Sequence, residues 1–147
     1  MSDARVIDIH ANDDRYPTDL PVLDSVNQVV RLIQTTGELF LRVSADGDNA
    51  GPRDPESGYR LPGAPCFALV PEPWWLDSTE SWVARQLVSR AYLITGGARA
   101  RVLAGTVVGR GVDGQPLVAP THPLARVERM AFVEAESVYA AWRCRHV

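Results

Sequence analysis

Apolar residues Val26, Val29, Val30 and Ile33 recur at helical spacing. Ser25 stands just before them and Gln28 three residues on, the arrangement of a capping box, and Gly37 follows as a stop signal. The pattern predicts a first helix over about 25–36. From Glu38 to Ser44 the period shortens to two, which predicts a strand with Leu39, Leu41 and Val43 on one side and Phe40, Arg42 and Ser44 on the other. The stretch 45–58, rich in Asp, Gly, Pro and Asn, is too long for a tight turn and predicts a long loop. Residues 59–75 contain Pro62, Pro65, Pro71 and Pro73. Proline removes ladder donors, so this stretch predicts an edge strand or extended loop.

Asp77 and Glu80 sit at N-cap and N3 spacing. Behind them Val83, Leu87, Ala91 and Ile94 mark an apolar helix face that ends at Gly96-Gly97. Arg101 to Val108 is β-rich, Asp113-Gly114 is a hairpin turn signal, and Gln115 to Val118 is the returning strand. Pro120 and Pro123 are expected to break the chain, leaving Leu124 to Val127 as a short separate strand. Met130, Val133, Ser137, Val138 and Ala141 fit the core face of a last helix over about 129–143. Residues 1–20, with Asp13-Asp14 and Pro17, read as a flexible N-terminal arm. Residues 21–147 read as a single α+β domain with a small, mostly antiparallel sheet and about three helices.

Composition narrows the function classes. A chain of 147 residues suits one domain. No apolar run approaches the roughly 20 residues that cross a membrane. Met1 to Asp14 lacks the basic and apolar regions of a signal peptide, so the expected location is cytoplasmic. Cys66 and Cys144 are far apart in sequence and read as free thiols. A net charge of −3 with both signs scattered speaks against a nucleic-acid partner held by a broad basic surface. All 15 basic residues are arginine, which removes lysine Schiff-base chemistry and the usual P-loop. Any anion must be met by Arg or by backbone N–H groups, and Arg favours bidentate contact with carboxylate or phosphate.

His10, His122 and His146 share no short spacing with one another, so no metal site is expected. Cys66, between Pro65 and Phe67, reads as a buried structural thiol more than as the partner of His122. Gly96-Gly97, Gly105, Gly109 and Gly111 form no dinucleotide fingerprint. Two features remain. Arg42 with Ser44 either faces a ligand or lies on the solvent side of a half-exposed sheet. In Pro71-Glu72-Pro73-Trp74-Trp75, rigid prolines either hold an indole over a flat ring or an Arg, or leave one Trp capping the core and the other against Trp82. With Asp113 and Gln115 of the hairpin, these make the candidate ligand-binding set Arg42, Ser44, Trp74, Trp75, Asp113 and Gln115.

The segments LFLRVS, SGYRLPG, PEPWW, SWVARQLV and VVGRGVDGQPLV resemble a family of small uncharacterised bacterial proteins over roughly residues 21–127. The family implies no activity. In its pattern a Ser and an Asn follow the LPG and a Glu stands where this chain has Gln115. Here Ala64-Pro65-Cys66-Phe67 fills the first place, so any chemistry of those polar residues is lost or changed. A fainter resemblance is to compact ADP-ribosyltransferase-like domains. It implies Arg42 on a pyrophosphate, Trp74 or Trp75 against nicotinamide, and Gln115 at the late catalytic position. A carboxamide there cannot act as acid or base.

The expected function is a non-catalytic regulatory or interaction domain that binds a small molecule or protein partner and uses no cofactor. Aromatic anchors of the Pro-Trp-Trp kind suit that role. The alternatives are an NAD-using ADP-ribosyltransferase-like enzyme and a specialised paralogue recruited to a biosynthetic pathway.

Overall fold

The alternation at Leu39–Ser44 divides two apolar clusters between the two faces of one sheet. A computed structural model of the chain describes residues 20–44 and 60–146. The whole of the expected long loop and all but the last residue of the expected arm therefore fall outside the described residues. The elements run β1 (Val22–Leu23), α1 (Val26–Thr36), β2 (Phe40–Ser44), β3 (Ala64–Pro65), β4 (Phe67–Ala68), α2 (Thr79–Val88), α3 (Ala91–Thr95), β5 (Arg99–Arg110), β6 (Pro116–Val127) and α4 (Arg129–Arg145). This is a single α+β domain. The sheet order is β1-β6-β5-β2-β4, antiparallel except for β1 on β6, and β3 pairs back onto β6. The 64–68 segment thus reaches from β6 round to β2 and curls the sheet on itself.

Helices cover one face. Val26, Val29, Val30 and Ile33 of α1, Val83, Ala84 and Leu87 of α2, and Ala131, Phe132 and Ala135 of α4 pack on Leu41, Val102, Ala125 and Val127. The opposite, concave face holds the smaller cluster Phe40, Ala64, Cys66, Leu103 and Val118. Leu39 and Leu41 fall on the helix side and Phe40 on the concave side, as the alternation requires.

Several sequence expectations need correction. The second helix is capped by Ser78, whose hydroxyl accepts from the Ser81 N–H, and not by Asp77. It also stops at Val88. Ser89 and Arg90 form a turn before α3, so the described residues hold four helices where about three were expected. The apolar spacing Val83, Leu87, Ala91 and Ile94 persists across that turn, which hides the break from periodicity.

Pro120 and Pro123 do not end the strand; β6 runs unbroken through both. Register shifts fall at Val102/Leu103, beside the Leu103 partner of Pro123, and at Gly105/Val107, across the interval of β6 that holds Pro120. In the described structure β6 also has no strand on its far side between Val118 and Arg126, so neither proline interrupts a ladder there. In α4 the phase is shifted. Met130 and Val133 are exposed, while Ala131, Phe132 and Ala135 are buried. Glu134 explains part of this. Its Oε1 accepts from the Val26 N–H at 2.6 Å, so α4 supplies a distant cap to the first turn of α1.

Candidate functional site

Edge strand β4 would leave backbone groups unpaired, and α2 answers them. Trp82 Nε1 (2.9 Å) and Gln86 Nε2 (2.7 Å) both donate to the Ala68 carbonyl. This anchoring sets α2 beside β4. The Pro-Trp-Trp segment and the tip of the β5–β6 hairpin close the remaining sides of a cleft of about 800 Å3. Phe67, Trp74, Trp82 and Tyr92 supply its aromatic surface. Gln86, Arg90, Arg110, Glu72 and Asp113 supply its polar groups, with Gln115 at the hairpin end.

Trp74 is 60 % exposed, whereas Trp82 is 2 % exposed. Trp74, Trp75 and Trp82 meet edge to face with ring centroids 5.4–6.0 Å apart. The Arg85 guanidinium carbon lies 5.5–5.6 Å from all three rings, so the indoles surround a cation of the protein itself. Trp75 turns away from the cleft. Its Nε1 donates to Ser81 Oγ at 3.2 Å, and its ring stacks on Trp142 at 4.8 Å. Trp142 in turn stacks between Tyr139 and His146. All four tryptophans of the chain thus form one connected cluster that ends at the cleft.

Within the cleft, Arg90 lies with its guanidinium carbon 3.5 Å from the Phe67 ring centroid and Nη1 3.4 Å from Gln86 Oε1. Desolvation draws the half-buried Arg90 below its ordinary pKa, and the Arg85 charge acts the same way. It remains a cation at neutral pH because guanidinium starts so high. Arg110 Nη1 donates to the Gly114 carbonyl at 3.2 Å. Gln115 Oε1 accepts from the Asp113 N–H at 3.0 Å, and its carboxamide lies over Gly111, where a Cβ would meet it at 2.7 Å. Gln115 therefore works as a turn clamp, and Gly114, at φ +83°, supplies the backbone the turn needs.

Below the aromatic cluster, Asp77 holds the end of α4 to the start of α2. It accepts from the Ser78 N–H (2.6 Å) and Trp142 Nε1 (2.7 Å), and pairs with His146 Nε2 at 2.9 Å. The Ser78 N–H first, then the Trp142 indole and the His146 charge, hold the Asp77 carboxyl below its ordinary value against an opposing desolvation effect. A depressed carboxyl gives stability that is present above the unfolded pKa and lost as pH falls through the folded one. Asp77→Asn should therefore flatten the acid-side loss of stability. Melting temperatures measured between about pH 3 and 7 should show the wild type falling more steeply below roughly pH 4 than the variant. Parallel curves would mean that the carboxylate contributes nothing to that slope.

The structure brings Trp74, Asp113 and Gln115 to one cleft. Arg42, Ser44 and Trp75 do not line it. Arg42 is not on a solvent face either; it is 6 % exposed, on the concave side of the sheet. The grouping that an ADP-ribosyltransferase-like site needs, Arg42 with the tryptophans and Gln115 around one ligand, is not formed. Sequence reasoning missed Phe67, Gln86, Arg90, Tyr92 and Arg110. Their clearest signal was Arg90 two residues from Tyr92 at an unnoticed helix break. Cys66 is a fully buried thiol pushed up to about 12 by burial, against the pull of Arg42 and Arg101, while His122 is exposed on β6. Among the described residues no three His, Cys, Asp or Glu side chains could together hold a metal ion. No described helix is long and apolar enough to cross a membrane.

Residues 16–146 match a family of unknown function, DUF6098. The chain belongs to this family. The DUF6098 match takes in every described element from β1 to α4, and with them the whole cleft. No curated protein and no solved structure matches the chain. The family assigns no activity, so the functional reading rests on the chemistry of the cleft.

Proposed function

We propose that this domain is a non-catalytic binding module whose cleft takes a small planar aromatic ligand bearing an acid group. The observation that carries this reading is the pairing, inside one cleft of about 800 Å3, of a 60 % exposed indole with two arginines. The volume falls in the range of small-molecule sites. Trp74 offers a ring face, Arg90 a partly desolvated cation and Arg110 a second one, while Gln86 adds a carboxamide. Glu72 and Asp113 set a second, acidic side that suits a donor on the same ligand. The reading asks for no cofactor and no nucleophile. Gln115 is spent on the turn clamp and Gln86 Nε2 on the Ala68 carbonyl, which leaves the arginines and the two carboxylates to meet the ligand.

Intrinsic fluorescence reports directly on this cleft, because all four tryptophans form one cluster with Trp74 at its exposed end. Titration with 2-naphthoate should give saturable quenching. Trp74→Ala or Arg90→Met should each weaken it by about tenfold, the scale of one charged or stacked contact. Linear quenching in the millimolar range, or quenching equal in wild type and Arg90→Met, would count against the proposal.

A further inference from the structure

On the concave face, away from the helices and from the cleft, the strand register gathers cations. Arg42 of β2 lies opposite Arg101 of β5, and Arg101 lies opposite Arg126 of β6. Their neighbours Leu41, Val102 and Ala125 belong to the helix-side core, so the three arginines share the other face. They form a row across adjacent strands spaced about 4.8 Å apart. Arg99 lies two residues before Arg101 on the same face, opposite Ser44. The row is not a solvated surface, since Arg42 and Arg101 are each 6 % exposed.

Like charges directly opposite one another on a sheet are destabilising, and a buried cation is costly unless it is paired. Arg101 has interactions of its own and adds its charge in the middle. Arg42 makes no side-chain hydrogen bond or ion pair among the described residues, and the buried Nε of Arg126 has no hydrogen-bond partner there. The field of the row is felt nearby, since the charges of Arg42 and Arg101 both act on the Cys66 thiol. A row with two buried members, half-buried at Arg126, and with unused donors at both ends fits an oxygen-rich anion that several guanidinium groups can share. A lone carboxylate is matched by one Arg fork. A phosphate group offers more acceptor oxygens and more charge.

We infer that the arginine row Arg42–Arg101–Arg126 is a binding site for a phosphate group. Occupancy satisfies Arg42 and Arg126 and screens the repulsion along the row. The ligand source is either free phosphate or a phosphate ester.

Thermal melts and calorimetry with inorganic phosphate, against chloride at matched ionic strength, test this, with glycerol 3-phosphate as the ester arm. Phosphate should raise the melting temperature where chloride does not. Arg42→Met should abolish that rise, and should melt higher than wild type without phosphate because a buried, unpaired charge is gone. Arg126→Gln should weaken phosphate binding by about tenfold. Tighter binding of the ester assigns the site to an organic phosphate; equal or weaker binding assigns it to the free anion. The inference fails if phosphate acts no differently from chloride, or if Arg42→Met keeps the full shift. If Arg42→Met does not fold, Arg126→Gln decides, and wild-type affinity in that variant overturns the inference.

Discussion

Trp82→Ala should destabilise the protein by about 3–5 kcal/mol, the cost of emptying a large buried aromatic site. Trp82 is 2 % exposed, contacts Trp74 and Trp75 edge to face, and covers one side of Arg85. It also donates to the Ala68 carbonyl, so its loss removes one of the two links between α2 and edge strand β4. Gln86 keeps the carbonyl satisfied, which makes the cavity the dominant cost. Urea denaturation should show the midpoint falling at an unchanged m-value. Trp74→Ala serves as the contrast. Its ring is mostly exposed, so the stability change should stay within about 1 kcal/mol while ligand binding weakens by about tenfold. A loss below about 1 kcal/mol for Trp82→Ala would show that the cluster is not a packed core.

Gly105→Ala is the second large effect. A Cβ at Gly105 would lie 2.4 Å from Val118 Cγ1 and 2.5 Å from the Pro120 carbonyl oxygen. The valine can turn, but the carbonyl belongs to β6 backbone and can move only if the hairpin uncurls. The cost should reach about 1–3 kcal/mol or more, read by denaturation. Gly111→Ala is the matched control. The atoms its Cβ would meet belong to the Gln115 carboxamide, the far end of a flexible side chain. It should cost less, and equal losses at the two glycines would refute the curl as the cause. The curl matters beyond stability. It brings β3 back to β6 and forms the concave face on which Arg42 and Cys66 lie.

The two proposed sites differed in how far the sequence exposed them. The aromatic cleft was half legible. Trp74 stood out because two adjacent indoles cannot both face one core, and Asp113-Gly114 marked a hairpin tip. Arg90 and Arg110 were hidden because nothing local distinguishes them from surface arginines; a break in α2 and a long hairpin bring them together. The arginine row was hidden more deeply. An unbroken register from the Arg110–Pro116 pair would set Ala125 opposite Arg101. The shift at Val102/Leu103 sets Arg126 there instead. One residue of slip exchanges the faces of a strand, so this shift decides whether Arg126 joins the row at all.

The sequence by itself determined the local physics. The capping box at Ser25–Gln28 and its apolar spacing fixed α1, with Ser25 accepting from the Gln28 N–H. Alternation assigned Leu41 and Phe40 to opposite faces, and Asp113-Gly114 fixed the hairpin turn. These follow from interactions within a few residues, where side-chain period and backbone preference act directly. The tertiary structure decided the rest. It carried β6 through two prolines, because that stretch has no second ladder to break in the described structure. It rotated α4 so that Ala131 and Phe132, not Met130 and Val133, are buried. It placed Arg42 in the interior beside Arg101. Each outcome depends on which distant segment lies opposite, and no local pattern encodes a partner that lies far away along the chain, as Arg101 does from Arg42.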